Sequence, residues 1–134
     1  MRSLLSRLFA LMLVAVIGLS GCSALGPADG LSGDYRQDTL TLIDSLQKAI
    51  ALPDDAPDKM ALQAEAKQQI NDFASRYRRD REIAGLSSFS TMRTALNALA
   101  GHYSSYPNRP VPQKLQDRLN QEFKQVESAL KRGA

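Results

Sequence analysis

Residues 112–133 read PQKLQDRLNQEFKQVESALKRG, and the spacing of their apolar positions decides the fold. Leu115, Leu119, Phe123, Val126 and Leu130 recur at intervals of four, four, three and four. That is the period of an α-helix, and it places all five side chains on one stripe with charged and amide residues between. Pro112 suits the first helical position, where its missing N–H goes unneeded. Lys131-Arg132-Gly133 supplies a basic last turn and a glycine stop. The segment predicts an amphipathic helix over 112–131, and such a helix must bury its stripe against others.

Three more segments upstream have the same character. Leu40, Ile43, Leu46 (or Gln47) and Ile50 predict a helix over 34–52, capped by Asp34 or Ser32 and ended by Pro53. Leu62, Ala66, Ile70, Phe73 and Tyr77 predict a second over 57–81, with Pro57 at its first position. Met92, Leu96, Leu99 and Tyr103 predict a third over 89–106, capped by Ser87 or Ser88. Gly101 in that helix costs about 1 kcal/mol against alanine, for which a tight helix crossing is the expected reason. Ala, Leu, Gln, Lys, Arg and Asp are abundant and Val and Ile scarce, a helical composition. No run reads as a strand. Four amphipathic helices with short connectors predict an all-α, up-down-up-down four-helix bundle over 34–134.

The start of the chain is of another kind. Arg2 and Arg7 flank a basic opening without acids, and residues 8–19 are 12 apolar positions in a row. A spanning helix needs roughly 20, whereas a signal h-region runs about 7–15. Leu19-Ser20-Gly21-Cys22 closes the run in the pattern of a bacterial lipobox. Small residues at Ser20 and Gly21 admit a signal peptidase, and the Cys22 thiol can take a diacylglyceryl thioether. The small-small-cysteine ending favours a lipoprotein leader over an uncleaved membrane anchor. Residues 1–21 are thus expected to be a signal peptide, Cys22 the lipidation site, and 22–33 a Gly- and Pro-bearing tether. Two acyl chains suffice for stable anchoring where one does not.

Composition excludes several functions. Without 1–21 the chain carries 15 Lys+Arg against 14 Asp+Glu, a formal +1. That argues against nucleic acid as a partner and against a polybasic grip on lipid as the main anchor. Cys22 is the only cysteine, so no disulfide or thiolate metal site can form within the chain. His102 is the only histidine and is read as a satisfied or exposed side chain, with no second ligand near it in sequence. Asp54, Asp55 and Asp58 lack the glycine and glutamate of an EF-hand and read as helix-start acids. There is no GxSxG, HExxH, P-loop or dinucleotide fingerprint. The chain is expected to be a monomeric binding module with no catalytic residue, no metal and no cofactor.

Two places carry the equipment of recognition. Arg76, Tyr77, Arg78 and Arg79 end the second helix. The arginines complement the helix dipole; alternatively they form a recognition edge for carboxylates, with Tyr77 on its rim. The loop from Tyr106 to Pro112 holds Pro107, Pro110 and Pro112, which fix several φ angles. Either the prolines merely end one helix and start the next, or the stiff loop presents side chains at little entropic cost. Tyr106 and Arg109 are the candidates there.

Three stretches carry a family resemblance. They are Leu31-Ser32-Gly33-Asp34-Tyr35-Arg36-Gln37-Asp38-Thr39-Leu40, Ile70-Asn71-Asp72-Phe73 running into Arg76-Tyr77-Arg78-Arg79, and Leu86 through Tyr103 continuing to Arg109-Pro110-Val111-Pro112. Together with the lipobox they resemble the cyanobacterial photosystem II lipoproteins that act as lumenal assembly factors. The likeness spans essentially all of 22–134. It implies a four-helix bundle on the lumenal side of the thylakoid membrane, bound to assembly and repair intermediates of photosystem II. It further implies docking to the large lumenal loop of the smaller inner chlorophyll antenna, before extrinsic subunits and the manganese cluster are in place, with no cofactor and no catalysis. The competing expectations are a structural or partner-binding lipoprotein of the bacterial cell envelope, and a small hydrolase or metal carrier, for which the residue inventory is poor.

Overall fold

Four long helices and one short one account for the regular structure of residues 31–134, the part described by the computed structural model. The lipobox, Cys22 and most of the expected tether lie outside the described residues. We number the helices α1 (Tyr35–Ile50), α2 (Lys59–Tyr77), α3 (Arg81–Ala84), α4 (Ser87–Ser105) and α5 (Gln113–Lys131). No strand occurs among the described residues, and none of their helices is long and apolar enough to cross a membrane.

The helix starts and stops follow local chemistry. The Asp34 side chain accepts the Gln37 amide at 3.1 Å and opens α1. Pro53 follows its end, and the chain turns through residues 53–58 by the Ala56-to-Pro53 and Lys59-to-Ala56 backbone bonds. Here α2 starts two residues later than the proline suggested. Asp58 takes the N-cap position without a side-chain bond, while Asp54 pairs with Lys59 at 2.7 Å. At the far end, Gly133 (φ +73°) donates to the Leu130 carbonyl and Ala134 to that of Ala129, a Schellman stop for α5.

The helices alternate in direction. Tyr35 at the start of α1 lies against Tyr77 at the end of α2, with ring centroids 5.3 Å apart. It also lies against Phe89 at the start of α4, at 6.5 Å. The Ser88 amide, again at the start of α4, donates to the Ala134 main-chain oxygen beyond α5. At the opposite end, Gln63 near the start of α2 reaches the Arg109 carbonyl beyond α4. Each long helix therefore runs antiparallel to its sequence neighbour, and α1 closes the ring against α5. The core between them holds Ile43, Leu46, Phe73, Met92, Leu99, Leu119, Phe123 and Val126, all essentially inaccessible. Fully burying one such side chain contributes about 1.5–3 kcal/mol.

Five expectations need correction. The predicted second helix does not run to residue 81. It stops at Tyr77, and Asp80 accepts the amides of Glu82 and Ile83 to begin α3 separately. Leu40 is 38% exposed, and the buried positions on either side of it are Thr39 and Leu42. Neither Ser87 nor Ser88 caps α4. Leu86 stands at the cap, and Ser88 is buried with its hydroxyl bonded to that of Tyr35 at 2.8 Å. Gly101 faces open space, since an added Cβ would meet nothing within 4 Å. No tight crossing accounts for it. Tyr77 is buried at 4% exposure and is no rim residue, because its hydroxyl donates to the Asp38 carboxylate inside the bundle.

Candidate partner-binding surface

The two groups of candidate residues sit at opposite ends of the bundle. Residues 76–79 follow the Tyr77 end of α2, and Arg109 is tied to Gln63 near its beginning. Gln63 and Arg76 lie thirteen positions apart along α2, a rise of about 20 Å. One compact partner loop cannot contact both without running along the bundle.

At the arginine end, Arg76, Arg78 and Arg79 are exposed. The Arg76 guanidinium lies 5.9 Å from the Tyr77 ring centroid, within cation–π range. Tyr77 itself anchors the end of the core. Its ring meets Phe73 at 5.1 Å, and its hydroxyl is held by Asp38, which also accepts the Gly33 amide at 3.2 Å. Burial, and then the Asp38 carboxylate, push the Tyr77 hydroxyl well above the ordinary tyrosine pKa. Burial also raises Tyr35, against the opposing hydrogen bonds to Ser88 and Thr39. Tyr77 was legible as a core residue from its place on the stripe, and that reading is the one the packing supports.

Between α2 and α4, next to this end, lies a cleft of about 310 Å³. Ile70, Phe73, Phe89 and Leu96 form its floor, with Ala74, Arg78, Arg93 and Asn97 around them. A second lobe of about 280 Å³ continues beside α4 past Ser90 and Thr94 to Ala84, sharing Phe89, Arg93 and Asn97 with the first. Arg93 was not singled out in the sequence. Its one signal was a cation four residues after Phe89 and three before Leu96, at the border of the apolar stripe.

At the proline end, Tyr106 is 56% exposed and Arg109 is exposed. The loop is pinned as well as stiff. Val111 is buried, Gln116 donates to the Val111 carbonyl at 2.8 Å, and Asn108 holds a left-handed turn with φ +65°. Lys59, and more weakly Arg109, hold the Asp54 carboxyl below the usual range. Met60, 69% exposed, and Tyr103 line a neighbouring hollow of about 170 Å³. His102 is half-buried, with its ring 5.5 Å from that of Tyr106 and its Nε2 without a protein partner among the described residues. No group of three or more His, Cys, Asp or Glu side chains among the described residues could hold a metal ion.

Comparison with known proteins places this arrangement in context. The family model described as Photosystem II Pbs27 matches residues 6–130. The chain is 58% identical over 125 residues to the Photosystem II assembly factor lipoprotein Psb27 of Thermosynechococcus vestitus, covering 93% of this chain and 92% of that one. It is 32% identical over 101 residues to the chloroplastic Photosystem II repair protein PSB27-H1 of Arabidopsis thaliana, covering 75% of this chain and 58% of that one. Its fold is similar to the solution structure of Psb27 from cyanobacterial photosystem II, with a TM-score of 0.74 at 55% identity, over 79% of this chain and 92% of that one. The chain belongs to the Photosystem II Pbs27 family.

Proposed function

We propose that the chain is a lipid-anchored factor for the assembly and repair of photosystem II, acting by binding and not by catalysis. Cys22 carries the lipid, and residues 23–33 are a tether of at most about 35 Å at roughly 3.3 Å per residue. The bundle then works close to the lumenal face of the thylakoid membrane. There it binds incomplete complexes, chiefly at the large lumenal loop of the smaller inner chlorophyll antenna. It holds them before the extrinsic subunits and the manganese cluster are in place.

The observation that carries this reading is the family match across residues 6–130, together with relatives named for photosystem II assembly and repair. The exposed arginines at 76, 78, 79 and 109 and the exposed Tyr106 support a recognition role, since planar guanidinium groups pair well with carboxylates. The test is affinity purification of the tagged full chain from thylakoids. The expected result is co-purification with monomeric complexes that do not evolve oxygen. Recovery only on mature, oxygen-evolving dimers would refute the proposal.

A further inference from the structure

We infer that the cleft between α2 and α4 is the recognition groove, and that it takes an extended acidic segment of a partner protein. A bulky apolar side chain would enter the first lobe, and a neighbouring carboxylate would lie between Arg78 and Arg93. The inference rests on the reading of the chain as a binding factor and names the surface that does the binding.

Three observations lead there. First, about 310 Å³ stands open at the surface above Ile70, Phe73, Phe89 and Leu96. Small Ala74 lines the cleft where a larger residue would fill it. Next, Arg78 at the C-cap of α2 and Arg93 on α4 border the same cleft, both exposed, and neither side chain makes a hydrogen bond or ion pair among the described residues. Some exposed cations of this bundle are engaged, Lys48 with Asp44 at 3.0 Å and Arg118 with Glu122 at 2.7 Å; Arg79 and Lys124 are as free as Arg78 and Arg93 but do not line this apolar cleft. Two unneutralised guanidinium groups over an apolar floor call for an occupant with an apolar body and a negative group.

The third observation is shape. The second lobe runs on beside α4, so the groove is elongated. It offers Ser90, Thr94 and Asn97, whose polar groups suit the backbone of an extended chain. Thr94 already donates to the Ser90 carbonyl, which leaves its oxygen as an acceptor for a peptide N–H. An acyl chain would gain nothing from this polar half. The occupant favoured is therefore a peptide segment and not a lipid tail.

The test compares full-length variants in binding to isolated monomeric photosystem II complexes that lack extrinsic subunits. Arg93→Glu should weaken binding at least tenfold, and Ala74→Leu, which fills the first lobe, should do the same without changing charge. Lys124→Glu, an equal charge reversal at an exposed position of α5 outside the cleft, should weaken it less than threefold. Circular dichroism and melting of each variant check that the bundle persists. The fit is supported further if a photo-crosslinking residue at Thr94 captures a partner peptide containing Asp or Glu. Wild type that binds, alongside folded Arg93→Glu and Ala74→Leu variants that bind equally, overturns this inference alone. Wild type that does not bind overturns the photosystem reading and the groove with it. A parallel arm uses phosphatidylglycerol vesicles and the unlipidated chain. Loss of vesicle binding in Arg93→Glu with unchanged binding to complexes makes the cleft a lipid site and also overturns the inference.

Discussion

Replacing Tyr77 with Phe removes one oxygen from the best-buried polar contact of the bundle and tests how its end is held. The ring contacts survive the change. Phe73 at 5.1 Å and Tyr35 at 5.3 Å meet the ring and not the hydroxyl. What goes is the donor to the Asp38 carboxylate, with Tyr77 at 4% and Asp38 at 5% exposure. A hydrogen bond to a charged group contributes about 1.5–3 kcal/mol, and an acceptor left short in the interior adds to the loss. Asp38 keeps the Gly33 amide, which softens the penalty. We expect destabilisation of about 2 kcal/mol, a fall in Tm of roughly 10 °C for a domain near 100 residues. Thermal and urea unfolding at neutral pH measure it. Asp38→Asn and the double variant complete a cycle whose coupling should be about 1 kcal/mol or more. The pH dependence has a fixed sign. Because the Tyr77 pKa is raised in the folded state, its contribution is whole below the ordinary tyrosine value of about 10 and is lost as pH climbs through the folded value. Tyr77→Phe should therefore flatten the alkaline loss of stability. A Tm within 2 °C of wild type, or a cycle without coupling, would show that the pair holds nothing.

The other predictions concern separate positions. Gly101→Ala should raise stability by about 1 kcal/mol, since the site is helical, without positive φ and open to solvent; an unchanged or lower Tm would point to a partner that needs the bare backbone there. Tyr103→Phe should cost less than about 1 kcal/mol, because its buried hydroxyl has no protein partner to leave stranded among the described residues. Burial pushes that hydroxyl up to about 12, so the variant should also lose less stability than wild type between pH 10 and about 12, as alkaline melting will show. Cys22→Ser should leave the melting of the bundle unchanged while washed membranes retain less of the chain; full retention would assign anchoring to the protein partner instead of the lipid.

The parts legible in the sequence were those with a period. The stripe from Leu115 to Leu130 drew α5 almost to the residue, and the proline and glycine punctuation placed most of the other ends. What failed was chemistry that acts across helices. Ser88 looked like a cap because serine ahead of an apolar run usually is one; only the approach of Tyr35 from α1 turns it inward. Asp80 lay inside a run of charges, and its own amide contacts broke one expected helix into two.

The same distinction separates what was readable in the binding surface from what was not. A cluster such as Arg76 to Arg79 advertises itself, because its members are neighbours in the chain. Yet the cluster is not one surface: Tyr77 points into the core while the flanking arginines point out, as the helical period requires of successive residues. Arg78 shares the lining of one cleft with Arg93, fifteen positions on and across the α2–α4 seam, where no local pattern could pair them. The bundle thus converts two ordinary cations at stripe borders into facing sides of one cleft. For that reason a charge reversal at Arg79, outside the cleft, should matter less to binding than one at Arg93, although the sequence alone ranks them the other way.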